Sequence, residues 1–231
     1  MNSIDFKKLL HSATYYLSYQ EKIGKSFMID ESSLKYPVAD YLTGLEIPLA
    51  NIQLEYSHPK LKKRNIDLIT ADNLKSKIET AFEFKIAKEV TRYDAEQKRI
   101  FNDLMRLYLI AKSNGSSCYF LIVGTQKDFI QSFRSIVSIR PITNNHNLPI
   151  PMGFYTEWFK FMAGDEQTFN VKNVSGNEYE KIYKAFFNDY KPKDESETLT
   201  PPDNIKTKCI AISALSREFP MPYVGGIWQI E

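Results

Sequence analysis

Long apolar runs are missing from this chain. No stretch approaches the roughly 18 apolar residues that a membrane-spanning helix needs. Residues 1–18 are amphipathic and lack the apolar centre of a signal peptide. Cysteine is scarce, with Cys118 and Cys209 the only two in 231 residues. They lie far apart, each inside an apolar run, and so read as buried reduced thiols, with one disulfide between them as the alternative. The expectation is a cytoplasmic protein with no membrane partner. An excess of charge of one sign is also lacking: the formal net charge is +2, so no global field announces a nucleic-acid partner, although a local basic patch stays open. The three histidines, His11, His58 and His146, are scattered, and no Cys/His spacing fits zinc. P-loop, G-x-G-x-x-G and G-x-S-x-G patterns are absent, which removes the commonest nucleotide-binding and esterase chemistries.

What is present is a 43% hydrophobic, 13% aromatic composition, enough for the core of one domain spanning 1–231. Residues 3–20 carry a helical stripe of Ile4, Leu9, Leu10, Ala13 and Leu17. A second helix is predicted from an Asp30 N-cap to Leu42, kinked or restarted at Pro37 and ended by Gly44. Strands are predicted over 49–56, 65–69 and 80–86, and a long helix over about 95–112, stopped by Asn114-Gly115. The continuous apolar run 118–123 reads as a strand buried on both faces, and Lys127–Val137 as a helix. Further on, 155–162 and 178–190 look helical, 191–204 reads as a mobile polar loop, and 207–215 and 226–230 read as strands. The order predicts an α/β sandwich with a mixed central sheet flanked by helices: a meander first, then a crossover through the long helix.

Charge sits in two of these strands where apolar residues dominate. Asp67 lies within Asn65-Ile66-Asp67-Leu68-Ile69, and Glu83 and Lys85 within Ala81-Phe82-Glu83-Phe84-Lys85-Ile86. Strand side chains two apart share a face. Glu83 and Lys85 therefore point together, while Phe82 and Phe84 point the other way into a core. The bland account is an ordinary salt bridge on a surface strand. An acid and a base fixed side by side, with a second acid on the preceding strand, also match the outline of a divalent-metal phosphodiesterase.

A strand with Asp67, a strand with Glu83-Phe84-Lys85, a helix, then an apolar strand: this order resembles the PD-(D/E)XK nuclease superfamily, the restriction-endonuclease-like fold. The resemblance covers roughly residues 25–125, within a core of about 25–140, and leaves the extension 141–231 unassigned. The proline of the family name is absent, since Asn65 and Ile66 stand before Asp67. The resemblance implies a nuclease, a DNA endonuclease first, using Mg²⁺ with Mn²⁺ as an alternative ion. Asp67 and Glu83 would supply carboxylates and the Phe84 carbonyl a further oxygen. The metal would activate a water, and Lys85 would orient that water or neutralise the transition state, its own pKa falling beside the cation. The alternative is the same fold serving as a non-catalytic nucleic-acid- or protein-binding module. Cutting both strands benefits from two sites, which a homodimer would supply.

Glu31 is the candidate further acid that the preceding helix contributes in this superfamily; its other reading is favourable first-turn charge. Glu55 is weaker and reads more simply as a solvated strand end, and Glu46 is weaker still. The loop bearing Lys60, Lys62, Lys63 and Arg64 leads directly into Asp67, so contact with a nucleic-acid backbone competes with a solvated hairpin tip. Lys88 and Arg92 are candidates for phosphate contacts on the same terms. In the superfamily a Gln at the start of the long helix helps position the site, which singles out Gln97. Arg99, Asp103 and Arg106 share a helix face and read as an intrahelical ion-pair ladder. Trp158, Phe159 and Phe161 fit core packing better than base stacking.

Overall fold

The computed structural model describes residues 3–72, 77–88, 93–133, 155, 158–171, 178–200, 202–213 and 222–231. Helix α1 covers Phe6–Lys22, with the Asp5 carboxylate accepting the Lys7 and Lys8 N–H groups at its start. It buries Leu9, Leu10, Ala13 and Leu17, as their spacing predicts. The helix predicted from Asp30 comes in two pieces. Asp30 caps a 3₁₀ turn, Glu31–Leu34, through a reciprocal bond with Ser33, and α2 follows over Lys35–Gly44. Pro37 falls in the first turn of α2, where a missing N–H costs nothing.

Strands β1 (Ile52–Ser57), β2 (Asn65–Asp72) and β3 (Lys77–Ala87) form the expected antiparallel meander. Helix α3 (Tyr93–Asn114) then crosses to β4 (Ser117–Thr125), which pairs parallel with β3. After β4 come α4 (Gln126–Phe133), β5 (Glu166–Asn170), α5 (Glu178–Asp189), β6 (Asn204–Ile212) and β7 (Tyr223–Ile230). The seven strands stand in the order β1-β2-β3-β4-β7-β6-β5. The last two predicted strands thus both pair with each other and extend the sheet. At Gly225, beside Val123, an added Cβ would lie 2.5 Å from the Ile122 carbonyl oxygen, so β7 approaches β4 this closely only with glycine.

Each face of the sheet carries a core. Leu9, Leu10, Leu34, Val38 and Leu42 of the first two helical units pack with Phe82, Phe84 and Leu121. On the opposite face Ile100, Phe101, Leu104 and Leu107 of α3 pack with Ala81, Phe120, Ile122 and Trp228. Among the described residues no helix is long and apolar enough to cross a membrane. Cys118 and Cys209 are both buried free thiols, so the disulfide alternative is set aside.

Two expectations change. Residues 158–162 are not helical: Trp158 and Phe159 close one turn on the Tyr155 carbonyl, after which the Trp158 carbonyl accepts from Thr207 and the Lys160 carbonyl from Trp228. Packing of the buried Trp158 and Phe159 overrides their helical spacing. The first part of 191–204 is not a free loop. Lys62 N–H donates to the Lys191 carbonyl at 2.9 Å and Lys193 N–H to the Lys60 carbonyl at 2.8 Å, around a Leu61–Pro192 bridge. Residues 134–137 of the predicted fourth helix lie outside the described residues, as does Arg92.

Candidate functional site

The site forms where β2 and β3 part. Their ladder runs from Asp72 opposite Lys77 to Leu68 opposite Phe82. One residue further, the Asp67 carboxylate accepts the Phe84 N–H at 2.9 Å, taking with a side chain a donor that would otherwise seek a backbone carbonyl. Strand β3 continues to Ala87 held by β4 alone, with Glu83 beside Phe120 and Lys85 beside Ile122. The predicted alternation holds. Phe82 and Phe84 are buried against each other and the α1/α2 core, with their rings 6.2 Å apart. Glu83 and Lys85 turn the other way, yet both are buried, at 2% and 3% exposure.

Buried charges require partners, and three ion-pair groups supply them. Arg106 of α3 grips Glu83 with a two-pronged contact, Nε to Oε1 at 2.7 Å and a terminal guanidinium nitrogen to Oε2 at 2.9 Å. The same terminal nitrogen reaches Asp103 at 2.7 Å. The face shared by Arg99, Asp103 and Arg106 is therefore no simple intrahelical ladder. Arg106 bonds outward to the sheet, which places it 16% exposed, and Arg99 pairs with Glu96 at 3.7 Å. In the second group Lys85 Nζ lies 2.9 Å from Glu31 and 3.5 Å from Glu96. Glu31 thus reaches the site from the turn before α2, as its candidacy requires. In the third, Lys35 Nζ bonds Glu55 and lies 3.2 Å from Asp67 Oδ1. Glu55, 55% exposed, keeps the solvent access expected of it at the end of β1 while its carboxylate pairs with Lys35. Its left-handed backbone, φ +50°, breaks the alternation of β1.

The electrostatics follow from burial and from these pairs. Burial opposes charging Lys85, but Asp103, Glu31 and Glu96 outweigh it, and the Lys85 pKa is raised. Lys35 behaves alike, with Glu55 and Asp67 outweighing burial. Glu83 and Asp103 share one guanidinium. Burial drives both upward, Asp103 to about 6, while Arg106 pulls against it. In all, six carboxylates (Glu31, Glu55, Asp67, Glu83, Glu96 and Asp103) meet four cations, Lys35, Lys85, Arg99 and Arg106. Fully ionised, the cluster keeps a negative surplus.

The donors are hard oxygens of the kind Mg²⁺ takes. Among the described residues, however, no three carboxylates converge on one point, and both Glu83 oxygens go to Arg106. The basic loop is more committed than a solvated tip. Lys60 pairs with Glu197 at 2.6 Å and Lys62 with Glu195 at 3.0 Å, and Arg64 lies 4.3 Å above the Tyr190 ring. Lys63 and Lys88 are exposed. Gln97 lies on α3, with its side chain outside the described residues. His58 is fully buried: its Nδ1 accepts the Lys60 and Leu61 N–H groups, each at 3.0 Å, and its Nε2 lies 3.1 Å from the Arg106 carbonyl. Sequence reasoning missed Lys35, Glu96 and Arg106 as members of the site. No family model, curated protein or solved structure matches the chain.

Proposed function

We propose that the chain is a metal-dependent phosphodiesterase acting on nucleic acid, DNA first, with its reaction centre at the parting of β2 and β3. The observation that carries the reading is the gathering of Asp67, Glu83, Lys85 and the distant Glu31 at that one opening, with carboxylates in excess. Asp67 would hold the cation, with Glu31 or Glu83 nearby. When bound, a Mg²⁺ ion stabilises charge on the phosphate and lowers the pKa of a bound water. Lys85, kept protonated by Glu31 and Glu96, serves as a fixed positive charge for the phosphoryl oxygens rather than as a base. Arg106 fixes the Glu83 carboxylate and, through it, the line of the strand.

The two-pronged hold of Arg106 on Glu83 favours a second reading, a nucleic-acid-binding module of this architecture without catalysis. One assay separates the two. The full chain, Asp67→Ala and Lys85→Ala are incubated with single- and double-stranded DNA and RNA in Mg²⁺ or Mn²⁺. Metal-dependent cleavage by the native chain, lost in both variants, supports the phosphodiesterase. Binding without cleavage supports the module, and equal cleavage by all three proteins removes this site from consideration.

A further inference from the structure

We infer that Glu55 and Asp67 are the carboxylate pair that takes the divalent cation, and that Lys35 is a tethered cation holding its place until it binds. The inference rests on the phosphodiesterase reading and identifies which acids serve it. A single ammonium, Lys35 Nζ, bonds Glu55 Oε1 and lies 3.2 Å from Asp67 Oδ1. One oxygen from each of two strands therefore already converges on one positive charge. No other pair of acids among the described residues shares a cation in this way with both partners free of a guanidinium. Lys85 joins Glu31 to Glu96, but Glu96 also meets Arg99, and Arg106 joins Glu83 to Asp103 in a clamp.

The remaining contacts agree. The second Asp67 oxygen accepts the Phe84 N–H and the second Glu55 oxygen the Asn65 side-chain amide at 3.4 Å, which orients each carboxylate toward Lys35. Lys35 is 8% exposed while Glu55 is 55% exposed, so the pair is reached from the Glu55 side, where solvent and a phosphate have access. Mg²⁺ is commonly held by one or two carboxylates, with waters and substrate phosphates completing its shell. Two acids therefore suffice, and the lack of a third at this point is no obstacle. Lysine suits the placeholder role because its ammonium rides a flexible four-carbon stem and makes no two-pronged contact. The ammonium and the divalent cation cannot share these oxygens. Binding of one requires departure of the other, and cation affinity is set partly by Lys35.

The test titrates Mn²⁺ into the full chain, following free ion by electron paramagnetic resonance, for the native protein, Lys35→Met, Lys35→Arg, Glu55→Gln and Asp67→Ala. Removing the competitor in Lys35→Met should tighten Mn²⁺ binding by about tenfold or more, the equivalent of about 1.4 kcal/mol. Lys35→Arg, which keeps the charge and adds the two-pronged carboxylate contact that lysine lacks, should weaken binding, and Glu55→Gln should weaken it by about tenfold. Circular dichroism checks folding, and if Lys35→Met does not fold, the half-exposed Glu55→Gln decides alone. Native binding that Asp67→Ala abolishes but Glu55→Gln leaves unchanged overturns this assignment while sparing the phosphodiesterase. Unchanged or weaker binding in a folded Lys35→Met also overturns it. No Mn²⁺ binding by any protein overturns both readings.

Discussion

His58 makes the stability of the fold depend on pH in a way that can be isolated. Its ring is fully buried between the 58–64 loop and α3, with Nδ1 accepting two backbone N–H groups. The proton therefore sits on Nε2, donated to the Arg106 carbonyl, and the neutral ring is the form that fits. Burial, with Arg106 and Lys193 nearby, lowers the pKa from an ordinary 6.5 to about 4. Below pH 6.5 the unfolded chain binds a proton that the folded chain refuses until about pH 4. Stability from this group is thus intact above pH 6.5 and lost as pH falls toward 4. At 1.36 kcal/mol per pH unit the full loss is about 3 kcal/mol. Asp103 works in the opposite sense, since its folded pKa is raised to about 6 and protonation favours the native state. The two effects are separated by comparing the native protein with His58→Gln. Urea unfolding at pH 7, 6, 5 and 4 should show the native protein losing up to about 3 kcal/mol relative to the variant, because Asp103 is common to both. In melting temperature this is on the order of 6–12 °C for a domain of this size. Parallel pH profiles for the two proteins would refute the buried neutral ring.

Arg106→Met should cost about 3–5 kcal/mol at pH 8 by stranding Glu83 and Asp103 without a cation; the deficit should narrow at pH 5 in urea unfolding, as Asp103 takes its proton. Burial pushes the Cys118 thiol up to about 12 and Cys209 up to about 11, so a disulfide-exchange reagent at pH 7.5 should label neither in the folded protein and both in denaturant. If Lys63 of the basic loop and Lys88 after β3 meet a DNA backbone, replacing both by Ala should lower the log–log salt slope of binding by about 0.9 per lost phosphate contact, read by fluorescence anisotropy.

Much of the central sheet was legible because strand-length runs of apolar residues, and the alternation of residue type within them, leave a clear trace. Phe82 and Phe84 alternate with Glu83 and Lys85, and the run at 118–123 is apolar on both faces, as a strand with a core on each side of the sheet must be. The order of meander, long helix and parallel strand followed from segment lengths. The partners of the buried charges were not legible. Arg106 stands three residues after Asp103, a spacing that an intrahelical pair explains fully, and nothing local records that the guanidinium also reaches Glu83. Lys35 follows a capping turn, where lysine ordinarily extends into water, but the parting of β2 and β3 draws its stem inward. The short β5 is missed because Glu166 and Gln167 carry no apolar alternation, and its pairing comes entirely from β6.

The three cations of the site's interior differ in what they can give up, and that difference orders their roles. Arg106 makes two parallel bonds to a carboxylate that is 2% exposed and a third to a helix neighbour, while its carbonyl holds His58. Removing it would free two buried acids and loosen the loop leading into β2, so it belongs to the scaffold, and Glu83 with it. Lys85 is buried and ringed by Glu31 and Glu96, which hold it charged; on the proposed reading it would meet a phosphate without leaving its partners. Of the three, Lys35 alone joins an acid that is more than half exposed, although its own side chain is 8% exposed. If a divalent cation binds at Glu55 and Asp67 as inferred, the exchange that costs the fold least is the one with Lys35, since Glu55 keeps its access to solvent. On the proposed phosphodiesterase reading, Arg106 would set whether the site exists, Lys35 when it is filled, and Lys85 would act on what the cation brings.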